Sequence, residues 1–541
     1  MTDSQSTGSE FVHLETELEG SKDDVVAFTR FGPVQSRRSR NGCAVFLEVD
    51  YALPPKRFAD PVPLPDSFQY ARNHEFIRET RYPFQPEHDT TAMGIPFKAR
   101  MGLGSPSEHP LFLNIFCPPS VSFASSPTDE IIPSPPSLKS VKIHIHGGFL
   151  QFGSPHGLPM HHQYVSHDRD EVWVNIGYRL SVFGFLAAEN PPIPGNFGFK
   201  DQWLAIKWIQ DNISSFGGDP SNMELSGLSA GSHSVHQIVH HISRLPSGES
   251  SPVQGIRMES NAILIDPKTP RELQTQFDAL VGALSLDPTS PDILETIQDR
   301  SKVSAGALLE AIASIPEYGT FRGCTDGSWM KEGAMEWQAS GAFGRSLKEK
   351  GIKYVVVGET KDEWFSYQFT EPVNSRDDVR NNLKRILQPE IVDRLLASYE
   401  PLSPDSTVSD ARKLYGEIMA DYQVHIPVRV LHRDLMRSGM PVLRYEIEWV
   451  PEQIRPHGYV THGLDRVIWV LLNVMTAEQR AIAIKWLDLV DRETSAMKLH
   501  MASGVQDEKR VLKLRTDKTI GWEDDGRWDA LIRKSENLGH S

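Results

Sequence analysis

Five consecutive residues, Gly227-Leu228-Ser229-Ala230-Gly231, carry the clearest chemistry in this sequence. An alternating segment, Asn222 to Ser226, leads into them, and a helix-like run, Ser232 to Ile242, follows. A G-x-S-x-G turn between a strand and a helix is a nucleophile elbow, whose glycines leave room for a strained backbone that lifts the serine hydroxyl into the open. Such a serine can attack an ester carbonyl if a base takes its proton and backbone amides receive the oxyanion. Ser229 is therefore the candidate nucleophile. In a chain with 39 glycines the pentapeptide alone also fits an ordinary strand-to-helix turn, so the reading needs partners.

Three further segments supply them. His462, in Tyr459-Val460-Thr461-His462-Gly463-Leu464-Asp465, is the best base among 20 histidines, set apart by its place after a strand near Tyr445 and by the adjacent Gly463. Glu363, in Gly358-Glu359-Thr360-Lys361-Asp362-Glu363-Trp364, is the carboxylate that would fix the tautomer of the base and stabilise the imidazolium, with Asp362 and Glu359 as local competitors. Oxyanion donors are expected from the amide of Ala230 and from Gly147 and Gly148 in His146-Gly147-Gly148-Phe149, where glycine permits close backbone approach. His144 and His146 share one face of a strand and so could form a metal pair. No partnered carboxylate motif accompanies them, so neither a metal nor a cofactor is expected. The pairs His161-His162 and His240-His241 read as non-ligand histidines.

These residues need a scaffold. Strands are expected at Cys43 to Val49, Ser140 to His146, Glu171 to Tyr178, Met223 to Ser226, Ile352 to Gly358 and Val442 to Trp449. Helices are expected at Phe199 to Ser214, ended by Phe216-Gly217-Gly218-Asp219-Pro220, and at Leu464 to Val474 and Ala477 to Val490. Alternating strands and helices predict an α/β fold, a mostly parallel twisted sheet flanked by helices. In such sheets, sites form at the carboxyl ends of strands, and each chemical motif above follows a strand.

The 541 residues suggest several domains by length alone, yet no linker divides them. Residues 1–24 are polar and acidic and read as a disordered tail, with residues 25–541 as a single domain. Pro118 to Ser140 reads as a proline- and serine-rich surface loop. A formal net charge of −15 without a basic run argues against nucleic acid as a partner. No apolar run approaches the roughly 20 residues of a transmembrane segment. Three cysteines do not make a disulfide framework, and with no signal-peptide pattern they point to a reducing, cytoplasmic setting.

With these residues assembled, the chain resembles the type-B carboxylesterase family, which includes the cholinesterases, from roughly Phe31 to Asp465. Tyr51-Ala52-x-Pro54-Pro55-x-Arg57-Phe58 is similar to its N-terminal signature, and Ser107-Glu108-His109-Pro110-Leu111-Phe112-Leu113-Asn114 to its S-E-D-C-L-x-L-N segment. Tyr178-Arg179-Leu180, Gly184-Phe185-Leu186, Gly195-Asn196, Asp201-Gln202 and the run from Phe216 to the elbow also match. The resemblance implies an α/β-hydrolase fold, a triad of Ser229, Glu363 and His462, and hydrolysis through an acyl-enzyme. The order Ser, acid, His agrees with it.

Four departures bear on specificity. Leu228 stands where the family has glutamate, which removes a negative charge beside the serine. Phe149 takes the third place of a glycine triplet, Trp364 replaces the glycine after the acid, and Pro110 replaces a disulfide cysteine. Lys98-Ala99-Arg100-Met101 offers no tryptophan for a choline cation, so choline esters are disfavoured. The expectation is a serine hydrolase for carboxylic esters of uncharged, moderately apolar small molecules. Acyl transfer or lactone opening by the same residues is the alternative within catalysis, and a non-catalytic interaction protein is the alternative outside it.

Overall fold

A computed structural model describes residues 12–86, 97–126, 137–500 and 507–540. Twelve strands form its main sheet: β1 (Asp24–Thr29), β2 (Gly32–Arg38), β3 (Ala44–Asp50), β4 (Phe112–Cys117), β5 (Lys139–Ile145), β6 (Val172–Ile176), β7 (Gly218–Leu228), β8 (Gly255–Glu259), β9 (Tyr354–Thr360), β10 (Val442–Ile447), β11 (Arg510–Leu514) and β12 (Ile520–Asp524). Their order across the sheet is β1-β2-β3-β4-β6-β5-β7-β8-β9-β10-β11-β12. From β6 to β11 every neighbouring pair is parallel, and antiparallel strands flank this block on both sides. This is the α/β-hydrolase fold.

The strand sequences explain the layering. Every residue of β6, β8, β9 and β10 is buried, as expected where helices cover both faces. Alternate side chains then enter different cores. In β9, Val355 and Val357 join the larger core, which packs under the helices Phe197–Asn212 and Ala230–Ser243. Tyr354 and Val356 join the core on the opposite face, with Trp469 and Trp486.

Several sequence expectations shift. The segment expected to be disordered, residues 1–24, contains a helix, Leu14–Glu19, whose Leu14 and Leu18 are buried in the second core. The preceding residues, 1–11, lie outside the described residues, as do residues 127–136 of the stretch from Pro118 to Ser140. The helix expected from Leu464 to Val474 is only Arg466–Trp469, because Leu471 adopts a left-handed φ of 50° that ends helical hydrogen bonding. The next helix runs from Ala477 to His500, beyond its expected end.

Candidate active site

β7 ends at Leu228, and the helix Ala230–Ser243 begins two residues later. Between them Ser229 has φ 58° and ψ −122°, a strained conformation for a residue with a side chain. The Ser229 amide donates to the Glu259 carbonyl at the end of β8, at 2.8 Å, and His233 N–H donates to the Ser229 carbonyl at 2.9 Å. Both flanking glycines are sterically required. A Cβ on Gly227 would stand 2.3 Å from the Gly231 carbonyl carbon, and one on Gly231 would stand 2.0 Å from the Ile145 carbonyl oxygen.

His462 lies on the loop that leaves β10. Its Nδ1 is 2.6 Å from Glu363 Oε2, so Nδ1 carries the proton toward the carboxylate and Nε2 keeps a lone pair. That Nε2 is buried and has no hydrogen-bond partner among the described residues. The loop packs on the elbow: a Cβ added at Gly463 would be 3.4 Å from Leu228 Cδ2. Trp364 braces the same loop edge-on against Tyr459, with ring centroids 5.1 Å apart.

Glu363 follows β9 and is fully buried, and its Oε1 accepts the Thr360 amide at 2.9 Å. Burial by itself would raise its pKa, but His462 and the Thr360 amide hold it below the ordinary carboxylate value. Its two competitors are engaged elsewhere. Glu359 bonds His425 at 2.9 Å and Arg429 at 2.8 Å, and Asp362 accepts the Val460 amide at 3.0 Å.

The proposed oxyanion donors adjoin the serine. A Cβ on Gly147 would be 2.7 Å from the Leu228 carbonyl oxygen and 3.1 Å from Ser229 Cβ, so this backbone lies directly against Ser229. Gly148, at φ +114°, accepts the amides of Gln151 and Phe152 on its carbonyl, and a Cβ there would sit 1.9 Å from the Phe152 oxygen. Ala230 is the first residue of its helix, where N–H groups have no partner within the helix. Phe149 does take the third place, at φ 54°, and its ring lies edge-on to Tyr367 at 6.3 Å. Tyr367 in turn lies 5.0 Å from the His462 ring.

The histidine pairs part company. His144 Nδ1 is 3.2 Å from Ser226 Oγ, whereas His146 stacks on Tyr178 at 4.6 Å and bonds the Gly147 carbonyl through Nδ1 at 2.9 Å. Burial pushes His146 down to about 4, so it stays neutral while it shapes the glycine loop.

One neighbour, named in the sequence only as part of the segment around His462, proves to be buried. Asp465, three residues after His462, is fully buried, and its Oδ2 accepts Trp469 Nε1 at 3.1 Å. Burial, with the charges of Glu259 and Glu363 beside it, pushes its carboxyl up to about 7. The Gly463-x-Asp465 pattern was visible, but nothing local marks the aspartate as buried.

Residues 23–501 match the carboxylesterase family. The chain belongs to the carboxylesterase family. A relative in this family from Schizosaccharomyces pombe, an uncharacterized esterase/lipase, is 28% identical over 523 residues, covering 92% of each chain. A carboxylic ester hydrolase of Gibberella moniliformis is 30% identical, covering 79% of this chain and 78% of its own. Among solved structures, a PNB esterase superposes with a TM-score of 0.69 at 22% identity, over 95% of this chain and 99% of the other. As a carboxylesterase-family member the protein is an esterase. Among its described residues no helix is long and apolar enough to cross a membrane.

Proposed function

We propose that the protein hydrolyses carboxylic esters through an acyl-enzyme on Ser229. Ser229 Oγ attacks the ester carbonyl carbon as His462 Nε2 takes the hydroxyl proton. Glu363 orients the imidazole and stabilises its charged form. The oxyanion forms against the amides of Gly147, Gly148 and Ala230. Collapse expels the alcohol, which receives its proton from His462, and water repeats the sequence to release the acid. The observation that carries this reading is the state of His462. Its Nδ1 is held by a buried carboxylate and its Nε2 has no hydrogen-bond partner among the described residues, on a loop packed against the residue before Ser229.

Uncharged, moderately apolar esters are the expectation from the sequence, and in this reading that character is required only of the reacting end of the substrate. The Tyr367 ring beside His462, with Phe149 packed edge-on against it, supports that by placing hydrocarbon near the base. Acyl transfer to an alcohol, or lactone opening, would use the same acyl-enzyme with a different partner. Hydrolysis of a p-nitrophenyl ester series, acetate to octanoate, tests the proposal against Ser229→Ala. The variant is expected to lose at least ~10³-fold in kcat. A small loss would mean that another residue is the nucleophile, and a serine silent toward a fluorophosphonate probe would favour a non-catalytic interaction protein.

A further inference from the structure

A cavity of about 460 Å³ begins one helical turn beyond the nucleophile. His233 forms part of its wall, about 6 Å along the helix axis from Ser229. Arg322 and Tyr422 line it as well. The cavity is also tied to the glycine loop: Gln151 Nε2 donates to the Phe149 carbonyl at 3.1 Å and to the Phe321 carbonyl at 2.6 Å. The residue before Arg322 is thus fastened to the residue that follows Gly148.

The charges around this cavity are unevenly matched. Arg385 pairs with Glu371 at 2.7 Å, Glu272 accepts the amide and hydroxyl of Thr269, and Asp266 accepts the Met335 amide at 2.9 Å. Lys268 and Glu332 stand exposed at the rim. His233 is neutral, pushed down to about 3 by burial and then by the charge of Arg322. Arg322 itself donates Nε–H to Thr320 Oγ1 at 2.9 Å, and among the described residues no carboxylate lies within ion-pair distance of its guanidinium. A permanently charged, planar fork is left facing a cavity of small-ligand size. A carboxylate is the group whose two oxygens match that fork.

We propose that Arg322 recognises a free carboxylate carried by the substrate at the end away from the scissile ester, so that the preferred substrates are half-esters of dicarboxylic acids or other esters that bear an acid group. This rests on the hydrolase reading of Ser229. The uncharged reacting end and the anionic far end then meet different groups, the Phe149 ring and the guanidinium, with Tyr367 between them: its ring lies beside His462 and its phenol within electrostatic reach of Arg322.

Two matched substrate series test it, with rates corrected for intrinsic reactivity toward hydroxide. One places the acid on the acyl group: p-nitrophenyl hemisuccinate, hemiglutarate and hemiadipate against the butyrate, valerate and hexanoate. The other places it on the leaving alcohol: 4-acetoxybenzoate against 4-methylphenyl acetate. In one series kcat/KM should favour the acid by about 10- to 100-fold, the range of a charge-assisted hydrogen-bond pair. The favoured series identifies which half of the ester reaches Arg322. Arg322→Met should abolish the preference, read as the ratio of acid to neutral kcat/KM within the same variant, and Arg322→Lys should keep part of it. Should Arg322→Met not fold, the wild-type preference and its decline in Arg322→Lys carry the test. Equal rates for acid and neutral esters in both series would overturn the proposal, as would a preference retained in Arg322→Met. Failure of every ester, with Ser229 unlabelled by a fluorophosphonate, would fail the hydrolase reading and the proposal with it.

Discussion

Phe149 shows how one residue can keep a backbone and change a pocket. Its φ of 54° suits glycine at least as well as phenylalanine, so Phe149→Gly should preserve the loop and remove only the ring beside Tyr367. The variant is expected to broaden the acyl-length range, with longer p-nitrophenyl esters gaining relative to acetate. An unchanged chain-length profile would show that the ring does not border the acyl path. Residues at this scale were legible when a motif fixed them. Ser229 stood in a pentapeptide, and Glu363 and His462 followed strands in the right order. Arg322 and Asp465 were not legible, because a lone charged residue looks the same in sequence whether it faces water or a buried site. Choosing Glu363 over Glu359 likewise rests on contacts with His425 and Arg429, made by a helix far along the chain.

At the scale of elements, the elbow depends on the close approach of the helix Ala230–Ser243 to the end of β5. Gly231 is the point of contact, since a Cβ there would stand 2.0 Å from the Ile145 oxygen. Gly231→Ala must therefore push the helix off the sheet or tilt the serine. The expected result is loss of esterase activity together with a Tm lowered by several degrees. Wild-type melting and kinetics in this variant would contradict the packing described. The strands that hold the motifs, β5, β7, β9 and β10, were readable as apolar or alternating runs ended by glycine or polar residues. β8 was missed because Gly255-Ile256-Arg257-Met258-Glu259 places charges in a strand that is buried throughout. Its Arg257 is paired in charge with Glu224 at 3.2 Å and Glu259 at 3.5 Å and lies over the face of Trp469, partners that only the assembled sheet provides.

For the molecule as a whole, Asp465 ties stability to pH. Its carboxyl titrates near 7 in the folded state against an ordinary value of 3.8, so the native protein holds a proton that the unfolded chain has lost in this interval. Stability from this group is full below the unfolded value and falls as pH rises toward about 7, at a cost on the order of a few kcal/mol once ionised. Asp465→Asn keeps an oxygen for Trp469 Nε1 and removes the charge. Its Tm should exceed that of wild type by a margin that grows between about pH 5 and pH 8. Parallel melting profiles across that range would refute the assignment.

The residues proposed to break the ester stand at strand ends, whereas most of those that line the cavity lie farther along the chain; His233, on the helix that follows Ser229, adjoins both. Ser229, Glu363 and His462 follow β7, β9 and β10, strands locked in one parallel block. Arg322, Lys268 and Gln276 lie in the segment between β8 and β9, and Arg385 and Tyr422 in that between β9 and β10. In the proposed reading, cleavage and substrate recognition are thus carried largely by different elements. If those roles hold, substitutions in the parts of these two segments that line the cavity would retune what the protein accepts while the strand ends bearing Ser229, Glu363 and His462 stay in register, which makes this scaffold readily evolvable in substrate range.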